Sequence, residues 1–156
     1  MSYNWNWWIF FEPSLDGTNT YLMTLIWGAC WTVATAIGAF TIALLLGSLV
    51  GVARTSPLAW MRALGTGFVE LFRNIPLLVQ MFLWYFVLPE LLPTDLGRWF
   101  KQLPNAAFYT AVICLGCYHA ARMAEVVRAG LESLSRGQRM AGLAMGLTLV
   151  QTYRYV

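Results

Sequence analysis

Ionisable and amide side chains occur in an otherwise apolar part of this sequence, between positions 64 and 88. Glu70, Arg73, Asn74 and Gln80 lie there. Charged groups at membrane depth usually face a cavity or a partner, and guanidinium and amide groups donate hydrogen bonds to carboxylates. These residues are therefore candidates for a functional site. The alternative is that Glu70 and Arg73, three residues apart, pair with each other at the membrane interface.

Catalytic and metal-binding chemistry finds little support in the sequence. The chain lacks the G-x-x-x-x-G-K-[ST] loop that binds ATP phosphates and the H-E-x-x-H motif of zinc proteases. His119 is the single histidine and lies in an apolar run, where a hydrogen-bonded packing role is favoured over proton sensing. Cys114 and Cys117 form a C-x-x-C without a second pair, which favours packing over a metal site. We expect no enzyme, no catalytic residue, no cofactor and no metal.

The composition indicates an all-α protein that crosses a membrane several times. Of the 156 residues, 59% are hydrophobic and 11% are charged, and the mean hydropathy is +0.60. Soluble domains contain about 25% charged residues. The net charge of +3 is small and scattered, so no nucleic acid is expected as a partner and the expected surroundings are a lipid bilayer.

Three apolar segments organise the chain. The predicted parts are an external aromatic segment (1–20), a transmembrane region (21–130) with spans at about 21–53, 64–88 and 103–124, and an incomplete cytoplasmic coupling loop (131–156). Pro76 interrupts the second segment, and the uncharged stretch after it is too short to cross a membrane alone. The polar half of that segment must therefore enter the membrane or lie along its surface.

Small residues recur at every fourth position of the first span. They are Thr35, Ala39, Ala43, Gly47 and Gly51. Small side chains at this spacing allow another helix backbone to approach closely. The pattern predicts a packing groove that includes Gly47 and Gly51.

The basic residues predict the orientation in the membrane. One side would hold Arg54, Arg62, Arg122, Arg128, Arg136, Arg139 and Arg154, and the other Arg98 and Lys101. The positive-inside rule then places the N-terminus outside and residues 125–156 in the cytoplasm. Where the third span ends, Glu125 can pair with Arg122 or Arg128, and Arg128 can pair with Glu132.

The loop after the third span is predicted to contain a short helix between two bends. Gly137 marks the first bend, Gly146 suits a left-handed helix end, and Thr148 can cap a second helix. So short a helix has too little apolar area to fold alone. It must dock on another surface.

Several motifs resemble the membrane subunits of bacterial binding-protein-dependent ABC importers, in the branch that carries polar amino acids. They are Glu70–Gln80, Glu125–Arg128, Arg136–Gln138, Ala141–Gly146 and Tyr153–Val156. Three further stretches are similar to the membrane subunit of glutamate/aspartate importers: Asn4–Trp7, Trp84–Pro93 and Leu143–Thr148. The resemblance covers nearly the whole chain.

The resemblance implies a permease fold of five spans in the bacterial inner membrane. Three spans and the start of the coupling loop would be present, so we expect a chain truncated at its C-terminus. The implied partners are ABC ATPase subunits, a second permease subunit and a periplasmic amino-acid-binding protein. The implied function is import of glutamate and aspartate, driven by ATP that a partner hydrolyses. The alternatives are another polar amino acid, or an ion-coupled secondary transporter. An anionic substrate needs cationic or hydrogen-bond-donating groups, so the candidates for its pathway are Glu70, Arg73, Asn74 and Gln80.

The resemblance also assigns the ATPase contact to residues of the loop. They are Arg136, Gly137, Gln138, Arg139, Ala141, Gly142 and Gly146. The family has Glu-Ala-Ala before a glycine, whereas this sequence has Met140-Ala-Gly142 with Gly146 in place. A salt bridge from that glutamate is thus not expected, and Arg136 or Arg139 could supply a different contact.

Overall fold

The computed structural model of the protein describes residues 5–15, 17–133, 136–148, 151, 152 and 155, without the side chains of Arg136, Gln138 and Arg139. In this part of the chain the named elements are all helical, and one isolated β-bridge joins Pro13 to Thr20. The all-α class is confirmed. The chain divides into two compact units, Met1–Ile37 and Gly38–Val156.

The aromatic N-terminal segment contains a short 3₁₀-helix at Trp7–Phe11. Asn6 caps it, because the Trp8 backbone N–H donates to Asn6 Oδ1 at 3.1 Å. The rings of Trp5 and Trp7 stack with their centroids 5.6 Å apart. Trp5, Trp7 and Trp8 are exposed, as residues at a membrane–water interface would be.

Helix α1 spans Tyr21–Thr55 and carries no charged residue before Arg54. Within the described residues, it is the one helix long and apolar enough to cross a membrane by itself. Its buried residues are Ala39, Ala43, Gly47 and Gly51, at the four-residue spacing seen in the sequence. Large apolar side chains such as Phe40 and Leu49 cover its exposed faces.

A sharp bend divides the second apolar segment. Helix α2 spans Ala59–Asn74 and α3 spans Leu77–Phe82, and the chain bends by 102° between them. Pro76 causes the break, because its ring disfavours helical angles in the preceding residue, and Ile75 has φ −100° and ψ 127°. The two sides of the bend together meet the length and hydropathy of a second span.

Two more short helices follow the bend. A π-helical turn at Leu83–Val87 leads into α4, Leu88–Leu91, and α5 spans Thr94–Gln102. Helices α4 and α5 pack closely, because Gly97 lies against the carbonyl group of Pro89 and Lys101 pairs with Glu90. Trp99 of α5 is exposed.

Helix α6 spans Ala106–Glu132 and extends beyond the third predicted span. It begins two residues after Pro104, because Asn105 has a left-handed backbone with φ 59°. The charged residues of its last turns make it less apolar than α1. Its crossing of the membrane stays a prediction.

Helices α1, α2 and α6 share one apolar core. Its buried members are Val69, Ala121 and Ala124, and Val50, Phe68 and Phe72 pack against them. A Cβ atom on Gly47 would lie 2.6 Å from Met123 Cβ and 2.8 Å from the Ala120 carbonyl oxygen. A Cβ atom on Gly51 would lie 2.7 Å from Val127 Cβ. The absence of these side chains therefore sets how closely α1 approaches α6.

Candidate functional site

Glu125 joins three helices through a single carboxylate. Its Oε1 atom lies 2.8 Å from Arg54 Nη1 at the end of α1 and 3.1 Å from Arg73 Nη1 at the end of α2. Its Oε2 atom accepts a hydrogen bond of 3.0 Å from Arg128 Nε, on α6 itself. One oxygen thus faces the other two helices, and the other faces its own helix.

This ionic cluster lies one helical turn beyond the apolar core. Arg54, Arg73 and Glu125 each follow a core residue by four positions. The core residues in question are Val50, Val69 and Ala121. Residues four apart share a helix face, so the packing of the core brings the three charges together.

The three arginines differ in burial. The side chain of Arg54 is 13% exposed, that of Arg128 34% and that of Arg73 52%. The stem of Arg54 packs on α2 at Gly65, where a Cβ atom would lie 2.7 Å from Arg54 Cγ. Arg128 also pairs with Glu132 at 2.5 Å. Three arginines and two glutamates leave the cluster with a net positive charge.

The Glu125 carboxylate is ionised at neutral pH. Contact with Arg54 is the largest cause of a lowered pKa for Glu125, while desolvation opposes it and Arg128 reinforces it. Its ordinary value would be 4.5, so the negative charge persists throughout the physiological range. At neutral pH the cluster is therefore ionic.

Local spacing predicted only part of this cluster. The Arg128 contacts with Glu125 and Glu132 are confirmed. Arg122, the other predicted partner, instead lies over the Tyr118 ring at 4.3 Å from its centroid. The contacts of Glu125 with Arg54 and Arg73 were missed, because they join different helices and no local spacing indicates them.

Gln80 supports the bend at Pro76. Its side chain is buried, and Nε2 donates to the carbonyl oxygens of Phe72 at 2.9 Å and Ile75 at 2.8 Å. The last carbonyl groups of an α-helix have no partner within the helix. Gln80 supplies donors to the broken end of α2, and its own Oε1 atom is buried without a hydrogen-bond partner among the described residues.

The other candidate pathway residues are exposed at the end of α2. Glu70 and Asn74 are exposed, and Arg73 contacts Glu125. Among the described residues no ion pair joins Arg73 to Glu70, which argues against the local-pair alternative. The part these residues have in a substrate pathway stays a prediction.

The loop helix α7 spans Arg136–Ala144. Gly137 lies in its first turn, so the bend predicted there is wrong; glycine lowers helix propensity by about 1 kcal/mol but does not forbid a helix. Gly146 has φ 80°, the predicted left-handed conformation. The N–H of Leu147 donates to the Gly142 carbonyl at 3.1 Å and that of Gly146 to Leu143 at 3.0 Å, which is a Schellman helix end.

A capping box begins the next helical turn, at Thr148. The Thr148 backbone N–H donates to Gln151 Oε1 at 2.9 Å, and the Gln151 N–H donates to Thr148 Oγ1 at 3.3 Å. The predicted cap at Thr148 is confirmed. The helix predicted beyond it, with Arg154, lies largely outside the described residues.

Two faces of α7 differ in exposure. Gly142 is buried against Thr152, which is 1% exposed. Met140 and Leu143, three residues apart, are 67% and 44% exposed. The helix therefore packs on its own chain through glycine and presents apolar side chains outwards.

A groove of about 270 Å³ separates α3 and the π-helical turn from α6. Its lining includes Leu78, Phe82, Phe86, Ala107 and Thr110. Thr110 donates its hydroxyl to the Ala106 carbonyl at 2.8 Å, so it is occupied within its own helix. A carboxylate in this groove would lose its hydration without gaining charged donors.

The long apolar α1 and the bent pair of α2 and α3 have the length and hydropathy of membrane-spanning segments in an all-α protein. Residues 43–156 match the family described as "Binding-protein-dependent transport system inner membrane component". The chain belongs to this family, and the resemblance found in the sequence is confirmed.

Two relatives are permease proteins of Escherichia coli. The whole chain is 52% identical over 159 residues to "Glutamate/aspartate import permease protein GltJ" of strain K12 and covers 65% of it. It is 32% identical over 152 residues to "Glutamate/aspartate import permease protein GltK" of E. coli O6:H1, covering 96% of this chain and 62% of that protein. The chain thus spans slightly less than two thirds of these relatives.

One solved structure has the same fold. It is described as a crystal structure of an amino acid ABC transporter with histidines. The match has a TM-score of 0.64 and 26% sequence identity, and it covers 89% of this chain and 63% of the other. The permease fold is therefore shown by both sequence and structure.

Proposed function

We propose that this chain belongs to the permease subunit of an ATP-driven importer that carries glutamate and aspartate across the bacterial inner membrane. The observation that carries the proposal is its 52% identity to GltJ over the entire chain. Family membership favours ATP-driven import over an ion-coupled secondary transporter. The partners would be ABC ATPase subunits, a second permease subunit and a periplasmic amino-acid-binding protein.

Helix α7 is the proposed contact with the ATPase. The contact would involve the loop residues Arg136, Gly137, Gln138, Arg139, Ala141, Gly142 and Gly146. The outward-facing apolar pair Met140 and Leu143 supports this role, because methionine is among the residues enriched at protein–protein interfaces. Without the family's glutamate, Met140 would make an apolar contact with the ATPase.

The proposed orientation places the N-terminus in the periplasm and residues 125–156 in the cytoplasm. It follows the positive-inside rule. The clustering of Arg54, Arg73 and Arg128 around Glu125 supports it, since these basic groups gather at one end of three helices.

The proposed substrate pathway includes Glu70, Arg73, Asn74 and Gln80. An acidic amino acid needs cationic or hydrogen-bond-donating groups where water is scarce. Half of the Arg73 side chain is exposed despite its contact with Glu125, so it retains surface for a carboxylate. The apolar groove beside α3 offers no comparable group.

Reconstituted uptake tests the proposal. The assembled importer would be placed in proteoliposomes with ATP on the ATPase side and the binding protein with labelled glutamate or aspartate on the other. Uptake should require hydrolysable ATP and persist when ionophores collapse the proton and sodium gradients. Uptake that needs a gradient but no ATP would overturn the transporter class. Preferential uptake of glutamine or histidine would overturn the assignment of glutamate and aspartate as substrates.

A further inference from the structure

The loop helix is attached to the helix that carries Glu125. Helix α6 ends at Glu132 and α7 begins at Arg136, with three residues between them. Glu125 lies seven positions before the end of α6, about two helical turns. A displacement of α7 would therefore act on the end of α6, and from there Glu125 is reached within the same helix.

Glu125 adds a directional, charged link to the apolar packing that already joins α1, α2 and α6. Helices α1 and α6 are already held together by the close contacts of Gly47 and Gly51. Arg73, by contrast, is on the last turn of α2, two residues before Ile75 and the bend. The Glu125–Arg73 contact of 3.1 Å thus joins α6 to the point where the chain changes direction.

The far side of the bend is also fixed. Gln80 of α3 donates to the Phe72 and Ile75 carbonyl oxygens, so α3 is tied to the last turn of α2. Arg73 lies between these two carbonyl groups in the sequence. A force on the Arg73 side chain would therefore act on both sides of the bend.

Fold stability alone gives little reason for this arrangement. Partly exposed ion pairs stabilise a fold by about 0–1 kcal/mol each. The Arg73 side chain is 52% exposed, and that of Glu125 is 25% exposed. Charged hydrogen bonds are nevertheless directional, which suits a contact that must keep two helices in register.

We propose that Glu125 is a positioning residue that transmits the displacement of α7 to the bend between α2 and α3, with Arg73 as the receiving group. This inference rests on the proposed contact of α7 with an ATPase. Arg54 of α1 lies 2.8 Å from the same carboxylate oxygen, so this oxygen is shared between α1 and α2. The bend then moves with the ATPase cycle.

The test compares Glu125→Gln with Glu132→Gln in the assembled importer. Both changes remove one carboxylate from α6, but Glu132 contacts only Arg128 of the same helix among the described ion pairs. The measured quantity is uptake per ATP hydrolysed in proteoliposomes. E125Q should lower this ratio about fivefold or more, the lower end of typical coupling between sites, and E132Q should leave it unchanged. Equal ratios in both variants would overturn the inference.

Arg73→Gln gives the second arm of the test. Arg73 is exposed, so this variant should assemble even if E125Q does not. R73Q should lower uptake per ATP as E125Q does, and the double variant should be no worse than either single one. If R73Q raises the KM for substrate but leaves uptake per ATP unchanged, Arg73 acts only in the substrate pathway. That result would overturn its role as the group through which Glu125 acts on the bend. Failure of the unaltered importer to take up acidic amino acids would instead refute the proposed function.

Discussion

Gly142 of α7 and Thr152 lie so close that a Cβ atom on Gly142 would be 2.6 Å from Thr152 Cγ2 and 2.7 Å from its Oγ1. Thr152 is buried, and its hydroxyl donates to the Thr148 carbonyl at 3.0 Å. The Schellman end at Gly146 and the capping box at Thr148 connect the two residues. The loop helix and the turn that follows it therefore form one packed unit, as is needed if a displacement of α7 is to be passed on to α6.

Gly142→Ala should destabilise the loop. The added methyl group overpacks a buried contact, which typically costs about 1–3 kcal/mol. The double variant G142A/T152A should recover part of this loss, because it removes both Cγ2 and Oγ1. Thermal unfolding of the purified importer and its substrate-stimulated ATPase rate would measure the effect. Gly130→Ala is the control, since a Cβ atom there meets nothing within 4 Å; equal behaviour of G142A and G130A would contradict the packing.

Gly47→Ala should separate α1 from α6. Its Cβ atom would press on Met123 and on the backbone oxygen of Ala120, and backbone cannot move aside as a flexible side chain can. We expect a loss of about 1–3 kcal/mol, seen as a lower melting temperature. Gly67→Ala in α2 is the matched control, because its Cβ atom meets nothing within 4 Å. It should be neutral or stabilising by up to about 1 kcal/mol, and a G47A protein as stable as G67A would refute the close approach.

Features fixed by short-range patterns could be predicted from the sequence. The buried face of α1 follows from small residues at every fourth position, and the end of α7 follows from a glycine that tolerates positive φ. The pairs of Arg128 follow from helical spacing. Each of these depends on residues within one or two turns of each other.

Features that depend on distant packing could not be predicted in this way. The Arg73 contact with Glu125 joins residues 52 positions apart, and the Arg54 contact spans still more. Nothing in either local sequence indicates the partner. Gly137 shows that a local pattern can also mislead. Glycine weakens a helix and so predicts a bend, but the residues around Gly137 are helical and α7 continues through it.

Gln80→Leu should weaken the bend. The change keeps the side chain's approximate size but removes the donors to the Phe72 and Ile75 carbonyl oxygens. Leaving a buried acceptor unpaired costs about 1–3 kcal/mol. Gln80→Glu should be worse, because an ionised carboxylate would face two carbonyl oxygens. Melting temperatures would rank the variants, and Gln102→Leu on the exposed side of α5 is the control, which should match the unaltered protein. A Q80E protein more stable than Q80L would contradict the role of Gln80 as a donor to the bend.

The most direct measurement asks whether α7 touches the ATPase. A photo-crosslinking amino acid placed at Met140, which is 67% exposed, would be activated in the assembled importer in its membrane. The same group at Leu96, 52% exposed on α5, would serve as the control, because the proposed orientation places α5 on the periplasmic side. The account predicts a covalent product with the ATPase from position 140 and none from position 96. A product from position 96, or none from position 140 in an importer active in uptake, would contradict it.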